Sequence, residues 1–350
     1  VYSAKKIVTM NPQKPEASHV AIREGRILAV GSLDEIATWG EYELDERFAD
    51  KVLFPGLVEG HAHTMEGTLW RYVYCGYFDR MDPNGTVWSG SKSIDAVLDA
   101  LRAAEAKIED PDAPLTGWQL DPIYLENKPV TRAQLDSVSA TRPVGVLNAS
   151  GHILYVNSKA LELAGLMKNG VNHPGIPLGS DGLPTGELKG PDAMTPVGAH
   201  VGMNRSMTDA DERGLRDFAR LCVRTGVTTV TDLAARLEPD SVDMLLRVTG
   251  EATFPACVVP LRFFLGLAPK ELIPEVARLK KLSTERLSLG RIKVVADGSI
   301  QGYSARLRWP GYHNGAPNGL WYVSPEQMQE IYELALEEGI QVHTHTNGDQ

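Results

Sequence analysis

Apolar and polar positions change rhythm along the chain. Over the first 55 residues short β-type runs alternate with turns. They are Lys6-Ile7-Val8-Thr9-Met10, His19-Val20-Ala21-Ile22 and Arg26-Ile27-Leu28-Ala29-Val30, with Glu24-Gly25 as a tight turn between the last two. The pattern predicts a small antiparallel sheet, with too few and too short strands to be stable alone. From Lys51 apolar strand-like runs alternate with helical periodicity, the texture of a parallel α/β architecture. Strands are expected at Val52 to Glu59, Val227 to Asp232, Ala256 to Phe263, Ile292 to Asp297 and Ile340 to Thr346. Helices are expected at Asp209 to Arg224, capped by Thr208 or Asp209, at Pro269 to Leu282, and at Pro325 to Glu338, which Gly339 ends. Each helix feeds a strand, as a right-handed βα barrel requires.

The segment from about Thr64 to Met207 interrupts that rhythm. It holds a helix near Ser93 to Ile108, a strand at Pro143 to Leu147, a helix near Ser158 to Ala164, and a Gly/Pro-rich stretch from Gly165 to Pro196. A connection this long is expected to be a lobe inserted at a loop end of the barrel, where insertions shape binding sites. The division read from the pattern is a small β domain over 1–53 and a barrel over 54–350, with the lobe at about 64–207.

Composition narrows the class. At about 150 residues per domain, 350 residues suggest roughly two domains. With 43% hydrophobic and 23% charged residues, disordered, collagenous and disulfide-scaffold chains are excluded. A net charge of −10 gives no global positive field to attract nucleic acid or anionic lipid. No apolar run approaches the roughly 20 residues of a membrane span, and Val1-Tyr2-Ser3-Ala4-Lys5-Lys6 lacks the layout of a signal peptide. Cys75, Cys222 and Cys257 lie far apart without metal-type spacing, which reads as reduced thiols. The expectation is a soluble cytoplasmic protein with no nucleic-acid or membrane partner. A homo-oligomer is compatible with the sequence.

Three strand ends carry chemistry. In Phe54-Pro55-Gly56-Leu57-Val58-Glu59-Gly60-His61-Ala62-His63, strand alternation sends His61 and His63 to one face. Two imidazoles at that spacing can converge on one ion at about 2.0–2.1 Å, and the C-terminal end of a barrel strand is where active sites sit. The competing reading is two ordinary histidines at a strand-to-loop turn. Val342-His343-Thr344-His345 repeats the design. Either histidine there can be a ligand, or one can orient a ligand or contact substrate. Lys293 lies inside the apolar run Ile292-Lys293-Val294-Val295, where a buried ammonium is costly unless paired or chemically altered; by position alone it also fits a lysine reaching out from a strand edge. Asp297 ends that strand, either as a functional carboxylate or as a loop cap.

Four segments together, Pro-Gly-Leu-Val-Glu-Gly-His61-Ala-His63, Gly151-His152-Ile-Leu-Tyr-Val-Asn-Ser-Lys-Ala-Leu161, Lys293-Val-Val-Ala-Asp297-Gly-Ser and His345-Thr-Asn-Gly-Asp, resemble the amidohydrolase superfamily. The likeness is closest to its family-three branch, which includes N-substituted formamide deformylases. It covers nearly the whole chain, with the motifs in order. The resemblance implies a TIM-like (β/α)8 barrel carrying a small β-sandwich domain and a large insertion after strand one. It implies His61, His63 and His345 as metal ligands, Lys293 as a ligand carbamylated by carbon dioxide, and one or two Zn²⁺ ions. His152 would face the site from the lobe, and His343 and Asp297 would contact substrate or support the ligands. The implied activity is hydrolysis of a C–N bond in an amide, formamide or related molecule by metal-activated water. Deaminases and carbamate or ester hydrolases share the scaffold.

The superfamily also uses a histidine on strand six and a catalytic aspartate after strand eight. Gln350 follows strand five, so the catalytic aspartate is expected beyond it and the chain reads as the N-terminal portion of a longer polypeptide. Two rival readings remain at this point. One is a non-catalytic metal-binding protein, which would suit a chain truly ending at Gln350. The other is a barrel lyase or isomerase using Lys293 as a Schiff-base nucleophile. Trp70, Tyr74, Trp88, Trp118 and Tyr155 are candidates for an apolar substrate wall, although scattered aromatics also build ordinary cores.

Overall fold

The computed structural model describes residues 1–203 and 210–350. The proposed cap residues Thr208 and Asp209, and the lobe's expected end at Met207, fall outside them. The chain divides into two compact units, Val1–Val58 and Glu59–Gln350, five residues later than the pattern suggested.

The first unit is one four-stranded sheet in the order β3-β2-β1-β4, formed by β1 (Tyr2–Val8), β2 (Glu16–Arg23), β3 (Arg26–Gly31) and β4 (Asp45–Leu53). The two hairpin pairs are antiparallel as expected, but β4 runs parallel to β1, so the sheet is mixed. Ala4, Ile7 and Val20 form its small core. The single strand expected over Val52 to Glu59 is in fact two, β4 and β5 (Leu57–Glu59), parted at Phe54-Pro55-Gly56. Proline has no N–H for a ladder, and it interrupts the run that the apolar pattern alone would join.

The described residues of the second unit are built on two five-stranded sheets. One is a parallel half-barrel in the order β16-β15-β14-β13-β5, with β13 (Val227–Ala235), β14 (Cys257–Phe263), β15 (Arg291–Val295) and β16 (Gln341–His345). The helix expected from Asp209 runs Glu212–Thr225, with Asp211 as N-cap and Gly226 in the left-handed region at its C-terminus. Helices Pro269–Lys280 and Pro325–Glu337 lie where the sequence placed them. Helix Pro239–Gly250, between β13 and β14, was not anticipated. Its signal was present in Pro at N1 and the buried series Val242, Leu245 and Val248.

The lobe is built on the second sheet, ordered β12-β11-β10-β9-β6. Its strands are β6 (Val73–Tyr74), β9 (Leu115–Leu120), β10 (Val144–Asn148), β11 (Ile153–Val156) and β12 (Glu187–Lys189), with a hairpin of β7 (Arg80–Met81) and β8 (Val87–Trp88) beside them. Both faces of this sheet are covered. In β11, Leu154 and Val156 enter one core with Trp118, Met194 and Val201, while Ile153 and Tyr155 enter another with Leu98, Leu101 and Val144. Two-sided burial erases the apolar/polar alternation by which a half-exposed strand is recognised, so only the segment at Pro143 to Leu147 was legible.

Asn157 locks the lobe's inner corner. Fully buried, it caps helix Ser158–Leu163 by accepting from Ala160 N at 3.0 Å, accepts from Val144 N at 3.0 Å, and donates to Ser139 O and Arg142 O, both at 2.9 Å. Every hydrogen-bonding site of its amide is thereby used. Among the described residues no helix is long and apolar enough to cross a membrane, and the three cysteines are free.

Candidate metal centre

The two histidine pairs and Lys293 lie within or just past three strands of the half-barrel, β5, β15 and β16. His61 and His63 lie just past β5, not within it, so the loop sets their direction. His61 N donates to Glu59 Oε1 at 2.9 Å. Leu233 N donates to Ala62 O at 2.9 Å, which ties the pair alongside β13. The buried carboxylate of Asp232, also on β13, accepts from Thr64 N at 3.2 Å and from the Thr64 hydroxyl. Ladder registry then brings the other pair close, with Lys293 opposite His343 and Val295 opposite His345.

The ring centroids of His61 and His63 are 5.7 Å apart, those of His61 and His343 are 5.6 Å apart, and those of His152 and His345 are 4.8 Å apart. His152, carried on the lobe, therefore joins the barrel histidines. His345 Nε2 lies 3.0 Å from Asn347 Nδ2. Burial, reinforced by neighbouring basic groups, keeps all five rings below their ordinary range. His63 and His152 are each pushed to about 4, and His61, His343 and His345 are lowered as well. Neutral imidazole is the form that ligates a metal.

Lys293 is 2% exposed, and its Nζ is buried without a hydrogen-bond partner. Burial pushes its ammonium down to about 8, so a reactive neutral amine is accessible near neutral pH. Among the described residues no three His, Cys, Asp or Glu side chains form a ready metal-holding group, and the imidazoles stand in pairs. A divalent cation nevertheless fits the donor chemistry: neutral imidazoles converge beside a buried nitrogen that has no partner and that carbon dioxide would turn into an oxygen donor.

His61, His63, His152, Lys293 and His345 share one cavity of about 550 Å³. The rest of its wall is largely apolar and includes Met65, Leu69, Trp118, Leu147, Met194 and Met203, with Gln119, Asn148 and Ser150 among the polar lining. Met65, Leu69, Gln119, Met194 and Met203 carry no signal in the sequence, because none belongs to a spaced motif. Of the five candidate wall aromatics, Trp118 alone is among the lining residues. Trp70, Tyr74 and Trp88 pack behind it, with Trp70 and Trp118 centroids 5.1 Å apart, and Tyr155 lies in the core on the opposite face of the sheet.

His343 and Asp297 are not among the lining residues. His343 stands behind His61. The buried Asp297 carboxylate accepts from Arg306 N at 2.8 Å, Asn347 N at 2.9 Å and Gly348 N at 2.7 Å, and so pins the loop after β15 to the loop after β16. Its geometry is that of a loop clamp beside the site, the cap alternative of the sequence reading.

A family model described as "Amidohydrolase family" matches residues 49–350. The chain is similar to Protein LONG AFTER FAR-RED 3 of Arabidopsis thaliana, at 26% identity over 358 residues, covering 98% of this chain and 58% of that protein. It is also similar to Putative amidohydrolase YtcJ of Bacillus subtilis (strain 168), at 26% identity over 366 residues, covering 98% of this chain and 62% of that protein. The chain thus spans about three-fifths of the length of these curated relatives. Among solved structures, an uncharacterized metal-dependent hydrolase from Pyrococcus horikoshii OT3 superposes with a TM-score of 0.64 at 18% identity, over 98% of this chain and 64% of that one. That likeness supports the fold, an amidohydrolase-type α/β architecture.

Proposed function

Starting from the fact that the chain belongs to the amidohydrolase family, we propose that it forms the metal-binding half of a hydrolase that cleaves a C–N bond in a small organic amide. The observation that carries this reading is the unpartnered Lys293 Nζ buried in the same cavity as His61, His63 and His345. An apolar strand does not keep an unsatisfied amine without a use for it.

In this reading His61, His63, His345 and a carbamylated Lys293 hold one or two divalent cations, with Zn²⁺ the expected ion. Bound there, the cation supplies Lewis acidity, polarising a carbonyl and making water nucleophilic near neutral pH. The chain's own residues do the rest. The loop bonds of Glu59, Ala62 and Thr64 hold the first histidine pair in place. Asp297 fixes the loop that follows His345. His152 and His343 flank the ligands, where they orient a ligand or contact substrate. The apolar wall receives the organic group of the substrate and excludes water from it.

The test is a hydrolysis assay of the full-length protein on small N-formyl and N-acetyl amides, with carbamates, esters and an aminopyrimidine as comparators. Chelation is expected to lower amide turnover by about a thousandfold, several kcal/mol of barrier, and Zn²⁺ to restore it. Undiminished turnover in protein shown to be metal-free would exclude the reading.

A further inference from the structure

Strand β9 breaks its own alternation where it meets the cavity. Side chains of a regular strand switch faces at every residue, so Leu115 and Leu120, five positions apart, belong on opposite faces. Both lie in the same core. The pairing with β10 shows where parity flips: Val146 faces Gly117 and Asn148 faces Leu120, three steps on β9 against two on its partner. The extra residue is held in the bulge Trp118-Gln119, and Gln119 has φ +72°, the left-handed region that disfavours side-chain-bearing residues.

The bulge lies in a parallel pair, and glycine is the residue that adopts a left-handed backbone without steric cost. Glycine would remove the strain, yet a glutamine stands here. The consequence is that adjacent residues Trp118 and Gln119 both line the cavity, an arrangement that an unbroken strand does not permit. The indole Nε1 of Trp118, in the same wall, is buried with no hydrogen-bond partner. The cavity that Trp118 and Gln119 line also presents the apolar or weakly polar Met65, Leu69 and Met194, and its other polar lining includes Glu66, Asn148, Ser150 and Arg236. Bulges that re-aim side chains and strained backbone concentrate at functional sites because the strain is retained for what the re-aimed group does.

We propose that Gln119 is a specificity-determining residue: its carboxamide, re-aimed by the β9 bulge, recognises a neutral acceptor oxygen on the apolar arm of the substrate, away from the bond that is cleaved. The substrate class is therefore an amide whose hydrophobic substituent carries a carbonyl or ether oxygen. The inference rests on the hydrolase reading of this cavity, and binding separates it from turnover.

The experiment uses the full-length protein and two probes, N-phenethylacetamide and its para-acetyl derivative, which adds a carbonyl at the tip of the arm. Affinities are measured by calorimetry, and released acetate is assayed in the same samples. The wild type is expected to bind the para-acetyl probe about fivefold more tightly, the value of one neutral hydrogen bond. Gln119→Gly is expected to erase that preference with no fall in melting temperature, since glycine accepts the left-handed backbone. Gln119→Asn, which tolerates the same backbone but reaches less far, is expected to weaken the preference. Equal or undetectable binding of both probes by the wild type, or an intact preference in Gln119→Gly, would overturn the proposal. An intact wild-type preference that Gln119→Gly abolishes supports it even if no acetate is released, an outcome that counts against the hydrolase reading alone.

Discussion

Lys293→Met is expected to stabilise the metal-free protein while removing its activity. The side chain sits at 2% exposure among apolar strand residues, and its Nζ has no partner. An unsatisfied buried polar group costs about 1–3 kcal/mol, and methionine fills nearly the same volume without it. The metal-free variant should therefore unfold at higher denaturant concentration than metal-free wild type, by about 1–3 kcal/mol. With metal supplied, the same change removes the proposed ligand and should lower amide turnover by about a thousandfold. An ordinary core lysine would give the gain in stability without the selective loss of turnover. Denaturant titration of the chelated proteins, set beside turnover after metal addition, checks both signs. A variant that is less stable when metal-free, or one that turns over normally, would rule out the role assigned to Lys293.

Asp297→Ala is expected to act in the opposite direction, on stability first. One carboxylate receives three backbone N–H groups, from Arg306, Asn347 and Gly348. Hydrogen bonds to a charged acceptor are worth more than neutral ones, and alanine leaves all three donors without it. A loss of roughly 3 kcal/mol or more is expected in urea titration, discounted for the partial exposure of the donors. Asp297→Asn keeps one acceptor oxygen and should fall between. The clamp also holds the loop that follows His345, so metal retention should fall in parallel. A loss below about 0.5 kcal/mol, the ordinary range of a surface substitution, would show that the clamp is dispensable.

What could be read from the sequence, and what could not, follows from how each residue is buried. His61, His63, His343 and His345 were legible because strand ends bounded by Pro-Gly or followed by Asn-Gly project paired side chains, and that pairing survives in linear spacing. Lys293 was legible because an apolar run makes a charge conspicuous. Apart from β10, the lobe sheet was not, since β9 is buried on both faces, contains Gly117, and is broken by a left-handed glutamine. Each of these features removes the period-two signal. The apolar wall was invisible for a different reason. Met65, Met194 and Met203 come from the loop after the first histidine pair, from helix Pro191–Gly198 and from the short turn beyond it, and only folding brings them to one cavity. Asp297 was seen as a chemically notable position, but its three donors come from loops up to 51 residues away, which no local pattern contains.

The decisive measurement is the divalent metal content of the purified full-length protein, determined by elemental analysis beside that of the His61→Ala/His63→Ala and Lys293→Met variants. A hydrolase metal centre at these residues requires roughly one or two ions per chain in the wild type and near-complete loss in both variants. A wild type that hydrolyses amides without metal, or variants that keep the full complement, would contradict it.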